Sequence, residues 1–166
     1  MRDALVRSFV ARTADETREI GRILASRCRG GEVFLLFGDL GAGKTTFVQG
    51  MAQGLGASGV TSPTFTLLHV HRDGRLPLVH ADLYRLSGPQ EVQEIGIEDV
   101  ADESSILAVE WPDRLGPLTP DGRLEVRAEI LSDDTRRIEV RATDERHAAV
   151  LNEVTATSGE GRQQAP

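Results

Sequence analysis

The 166-residue chain has one lysine, one cysteine, one tryptophan and one tyrosine. It also has no apolar run approaching the roughly 20 residues that span a bilayer. Each shortage excludes something. Cys28, being alone, forms no internal disulfide, which suits a reducing compartment; it is read as packing at a helix end and not as a catalytic thiol. No spanning helix is expected. The opening residues Met1-Arg2-Asp3-Ala4-Leu5 lack the apolar stretch of a signal peptide, so a cytoplasmic protein without membrane association is expected. A formal charge of −7 leaves no basic footprint for a nucleic-acid backbone. A protein partner is the expected contact, and any RNA-related task would be reached through it. With 39% hydrophobic residues, residues 1–154 suffice for one domain, and the Ser-, Gly-, Gln- and Pro-rich residues 155–166 read as a disordered tail.

The one lysine is where the chain is most informative. Lys44 lies in Gly38-Asp39-Leu40-Gly41-Ala42-Gly43-Lys44-Thr45, which fits G-x-x-x-x-G-K-[ST], the phosphate-cradling P-loop. All eighteen other basic residues are arginine. A compact ammonium on a flexible stem reaches in among phosphates where a planar guanidinium does not fit. Glu32 to Phe37 before the motif is a short apolar run bounded by glycines, the pattern of a strand buried on both faces. After it, Phe47, Val48, Met51, Ala52 and Leu55 recur near helical spacing until Gly54 and Gly56. Strand, glycine loop and helix form the context that the motif requires. The loop from Gly38 to Thr46 would contact ATP or ADP, with the N–H groups of Gly41 to Thr46 turned toward phosphate. Lys44 would bridge the outer phosphates, and the Thr45 hydroxyl would ligate Mg2+.

The remaining elements define the fold class. Thr13-Ala14-Asp15-Glu16 is a capping box, and Ile20, Ile23, Leu24 and Cys28 share a helical face after it. Phe65 to Val70 and Leu76 to His80 read as a hairpin about His71–Arg75. Two short helices over Pro89–Gly96 and Ile97–Glu103 precede a buried strand, Ser105–Glu110. Arg123–Ile130 and Arg136–Arg141 alternate as an antiparallel pair. The sum is an α/β, three-layer P-loop domain with a mixed, mostly parallel central sheet and an antiparallel extension.

Nucleotide-bound magnesium usually needs a carboxylate at the end of a strand near the loop. Asp82, after Leu78–Ala81, and Glu110, after Ile106–Val109, both end apolar runs. They are candidate metal ligands and, with Lys44, candidate catalytic groups. Which one binds metal and which orients water is open at this level. Trp111, next to Glu110, reads either as core packing or as a ring that stacks on or senses nucleotide at the site mouth. A Ras-like GTPase would need a second lysine to read guanine, and there is none. Leu86-Ser87-Gly88-Pro89-Gln90 departs from the ABC-transporter signature and is read as a helix start. A small-molecule kinase, or a binding module in which ATP only orders an interface, remains an alternative.

Four blocks together resemble the TsaE family: Gly38–Thr46, Ser62-Pro63-Thr64-Phe65-Thr66-Leu67, His80-Ala81-Asp82-Leu83-Tyr84-Arg85-Leu86 and Val109-Glu110-Trp111-Pro112. Glu94–Asp99 adds a weaker fifth, and the chain after about Asp144 carries no family signal. The resemblance implies a bacterial ATPase needed to make threonylcarbamoyladenosine on tRNA. It further implies binding to a TsaB–TsaD complex, with hydrolysis supporting repeated turnover and tRNA reached only through that complex. On matching positions it implies that Lys44 and Thr45 hold phosphate and magnesium, and that Asp82 and Glu110 partner the metal or water. Ser62, Pro63, Thr64, Phe65 and Thr66 would form a mobile loop responsive to nucleotide and partner, and Thr13 with the first helix would approach adenine. Phe65, the second aromatic position of its block, and Ala81, where a bulkier residue is common, depart from the family pattern without touching a chemical role.

Overall fold

A computed structural model describes residues 4–60 and 67–157. Seven strands form one sheet in the order β1-β7-β6-β2-β5-β4-β3. They are β1 (Val6–Ala11), β2 (Val33–Phe37), β3 (Leu68–His71), β4 (Leu78–Asp82), β5 (Ile106–Glu110), β6 (Leu124–Ile130) and β7 (Arg136–Ala142). The centre is parallel, with β6, β2, β5 and β4 running together, while β7, β1 and β3 add antiparallel edges. The expected α/β architecture with an antiparallel extension is therefore present.

Alternation along β2 separates the two faces. Phe34 and Leu36 enter a core with α1 (Ala14–Ser26), α2 (Lys44–Gly54) and α5 (Glu145–Thr157), whereas Leu35 joins Ala81, Val109, Val92 and Ile97 on the other face. That second layer holds α3 (Pro89–Glu94), α4 (Ile97–Val100) and a 3-10 segment, Pro112–Leu118. Helices thus cover both faces of the central strands, which produces the three layers.

Helices α1 and α2 touch backbone to backbone, through glycines. A Cβ on Gly50 would lie 1.9 Å from the Arg18 carbonyl oxygen, and one on Gly54 would lie 2.2 Å from that of Arg22. On α1, a Cβ on Gly21 would likewise lie 2.2 Å from the Phe47 carbonyl oxygen. Gly54 thus serves as a packing contact inside the last turn, and the left-handed backbone just past the helix belongs to Gly56, at φ +77°.

Two elements depart from the sequence reading. In β1, Val6 and Val10 point outward while Phe9 and Ala11 face inward, so apolar alternation does not reveal the buried side. Helix α5 occupies a region read as lacking family signal, and it continues through Thr157, past the expected start of the tail. Its signal is His147, Val150, Leu151 and Val154, all buried at helical spacing, behind Asp144, whose carboxylate accepts the His147 N–H at 2.9 Å. His147 closes this corner: Nδ1 lies 2.6 Å from Asp144, and Nε2 accepts the Val33 N–H at 3.0 Å. Cys28 is 1% exposed, its Sγ donating to the Leu24 carbonyl, and burial pushes its thiol far up from the ordinary range. It is packed and inert, as read.

Candidate phosphate-binding site

Parallel pairing brings the carboxyl ends of β2, β5 and β4 into line. The register sets Leu36 beside Glu110 and Glu110 beside Asp82, so both acids emerge next to the loop that leaves β2. Open α/β sheets bind ligands at this end of their strands. A cavity of about 270 Å³ among Val33, Val92, Ile97, Leu107 and Leu115 lies elsewhere, on the α3–α4 face toward the start of the strands.

The loop is shaped by positive backbone angles at Gly41 (φ +80°) and Gly43 (φ +102°), a conformation costly for residues with a Cβ. Nothing lies within 4 Å of where a Gly41 Cβ would stand, so the space before the loop is open. Gly43 is the N-cap of α2, with no side-chain cap and no acid in the first turn. The positive end of an eleven-residue helix is therefore left without an internal counter-charge, an arrangement suited to an anion. A Cβ on Gly43 would meet the Thr17 methyl at 3.6 Å, which places the first turn of α1 behind the loop. Thr13 lies one turn earlier, exposed, as the N-cap accepting the Glu16 N–H at 3.1 Å. Leu40 and Asp39 form the exposed tip of the loop, whereas Ala42 is buried beneath it.

Lys44 is 6% exposed. Its ammonium donates to the Gly38 carbonyl and sits under the Trp111 ring, 3.5 Å from the centroid. Burial lowers its pKa from the usual lysine range, opposed by Glu110, Asp82, Asp39 and Asp113. Thr45 Oγ1 lies 3.1 Å from each oxygen of Glu110. Asp82 is 8% exposed and accepts the Tyr84 N–H at 3.0 Å; burial, with Glu110 nearby, raises its carboxyl above the ordinary range. Thr45, Asp82 and Glu110 together offer hard oxygen donors of the kind magnesium takes when phosphates complete its shell.

Lys44, Thr45, Asp82, Glu110 and Trp111 are thus brought together, and Thr46 lies in the first turn of α2 beside them. Trp111 packs against the second core cluster and Tyr84, with ring centroids 4.9 Å apart, yet its face covers Lys44. Core packing is present as read, and the ring's contact at this end of the sheet is with Lys44. The segment Ser62–Thr66 lies outside the described residues. Sequence reasoning passed over two neighbours. His80, 0% exposed, places Nε2 at 2.6 Å from Glu110 Oε2; its position two residues before Asp82 on a strand puts both on one face. Arg136 donates to the Gly41 carbonyl at 3.1 Å, tying the β6–β7 turn to the loop.

A family model described as threonylcarbamoyl adenosine biosynthesis protein TsaE matches residues 11–138. The chain is 37% identical over 142 residues to the tRNA threonylcarbamoyladenosine biosynthesis protein TsaE of Bacillus subtilis, covering 85% of this chain and 89% of that one. It is 44% identical over 140 residues to the protein of the same description from Streptomyces coelicolor, covering 79% and 93% respectively. The crystal structure of YdiB from Bacillus subtilis superposes with a TM-score of 0.80 at 30% identity, over 96% of this chain and 100% of that one.

Proposed function

The chain belongs to the TsaE family, whose work is tRNA threonylcarbamoyladenosine biosynthesis, and from that premise we propose that it is a P-loop ATPase hydrolysing Mg2+-ATP to ADP and phosphate. Hydrolysis supports repeated turnover of a TsaB–TsaD-type complex. The chain meets tRNA through that complex and works in the cytoplasm; among the described residues no helix is long and apolar enough to cross a membrane. The chain acts as a single domain, whose last helix runs through Thr157, beyond the boundary expected at residue 154.

The observation that carries this reading is the Thr45–Glu110 contact at the uncapped start of α2, with the one lysine beside it. The loop N–H groups and Lys44 hold the phosphates, and Lys44 trades its contacts with Gly38 and Trp111 for phosphate oxygens. Magnesium, when bound, would supply charge neutralisation to the phosphates. Thr45 and Glu110 would hold it, because their oxygens already meet. Asp82, held by the Tyr84 N–H at the end of the neighbouring strand, then orients the attacking water. Positioning and charge stabilisation supply the rate. Arg136 reaches the loop but engages backbone carbonyls with its guanidinium, so it serves as a brace and not as a finger on the outer phosphate; the isolated chain is slow, and partner docking speeds it.

ATP hydrolysis measured on the chain alone and with the partner complex tests this. Stimulation by the complex is expected, and Lys44→Ala should abolish it while leaving the fold intact. A Lys44→Ala protein with normal hydrolysis overturns the assignment. Multiple rounds of tRNA modification supported by a non-hydrolysable analogue would instead select a binding module, and phosphate found on an acceptor other than water would select a kinase.

A further inference from the structure

The proposed reaction makes no use of His80, although no ionisable side chain beside the site is more deeply buried. Its two ring nitrogens differ sharply. Nε2 faces Glu110 Oε2 at 2.6 Å, while Nδ1 meets no hydrogen-bond partner among the described residues. If Nε2 carried no proton, two acceptors would confront each other at hydrogen-bonding distance, and a proton on Nδ1 would be buried without a partner. The Nε2–H form avoids both, leaving only a lone pair unpaired. His80 therefore donates to Glu110.

This donation matters because of what surrounds the carboxylate. Glu110 is 3% exposed, and its other donor is the Thr45 hydroxyl. The nearby cation is Lys44, which feels the charge of Glu110 but rests on the Gly38 carbonyl and the Trp111 ring. A glutamate with one donor removed has a strong electrostatic reason to swing toward that ammonium. Such a swing would empty the Thr45 side and neutralise the charge meant for phosphate.

We propose that His80 is a positioning residue whose Nε2–H pins the Glu110 carboxylate onto the Thr45 hydroxyl and away from Lys44. The catalytic consequence rests on the ATPase reading; the geometric claim stands apart from it. His80→Leu removes the donor at similar bulk, and His80→Gln returns an N–H at about the reach of Nε2. Crystal structures of the full chain without nucleotide, together with steady-state Mg2+-ATP kinetics, form the test. In the Leu variant the Glu110–Thr45 contact should be lost and kcat should fall by about 10- to 100-fold, the usual cost of losing an outer-shell partner. KM for Mg2+-ATP should rise as well, because the swing takes the carboxylate off the Thr45 side and onto the ammonium that meets phosphate. The Gln variant should recover the contact and most of kcat.

A Leu variant that keeps Glu110 on Thr45, or a folded Gln variant that rescues neither contact nor kcat, overturns the proposal. If the Leu variant does not fold, the Gln variant decides alone by the same two readouts. A wild-type chain that never hydrolyses ATP refutes the ATPase reading, and the Glu110–Thr45 contact in the variant structures then decides the role of His80 by itself.

Discussion

Replacing Gly50 by alanine should destabilise the protein even though alanine is the better helix former. A new Cβ would stand 1.9 Å from the Arg18 carbonyl oxygen, about 1 Å or more inside any tolerated contact. The obstacle is backbone, which cannot rotate away as a side chain does, so α1 and α2 must separate. Overpacking of this kind costs up to about 3 kcal/mol, and the intrinsic helix gain from glycine to alanine returns about 1. The net loss is about 2 kcal/mol, a fall in melting temperature of about 4–8 °C for a chain of this size. Because α2 begins at Lys44, the displacement should reach the phosphate loop and weaken Mg2+-ATP binding as well. Thermal unfolding followed by circular dichroism, with titration calorimetry for nucleotide, reads both effects. Gly88→Ala is the control: its φ of 171° is extended backbone open to any residue, and nothing lies within 4 Å of the added atom. An unchanged or higher melting temperature for Gly50→Ala, with Gly88→Ala neutral, would refute the close-contact argument.

The buried acid and the buried histidine give two further expectations. Burial raises the Asp82 carboxyl, so the folded chain holds its proton more tightly than the unfolded chain does, and stability falls as pH rises through the raised value. Asp82→Asn should therefore unfold at higher urea than wild type at pH 7, with the advantage vanishing once both states are protonated below the ordinary carboxylate range; a less stable variant at pH 7 contradicts this. His147→Ala removes the acceptor of the Val33 N–H and should cost about 1–3 kcal/mol, the penalty for a buried polar group left unpaired. Urea midpoints shifted by less than the measurement error would show that the contact contributes nothing.

How far the chain could be read depended on whether its signals were local. The P-loop context was legible because glycines, apolar runs and one lysine fall within a few residues of each other, and Asp82 and Glu110 were legible because each ends an apolar strand. Which strands adjoin is a matter of register, so the contact of Glu110 with Thr45 was not. His80 and Arg136 act across separate elements and carry no motif of their own. The Gly50-x-x-x-Gly54 spacing was in plain view, but a glycine in a helix reads as a weak point until the neighbouring backbone is placed against it. Outward-facing valines hide β1, and α5 carries no motif, its signal being only four buried positions at helical spacing.

The single tryptophan resting on the single lysine also makes the molecule its own gauge. An indole with an ammonium 3.5 Å from its centroid has emission sensitive to that charge. If phosphate draws the lysine away as proposed, no other indole in the chain dilutes the change. Occupancy of the loop would then be readable in the protein's intrinsic fluorescence, without a label and in the presence of any tryptophan-free partner.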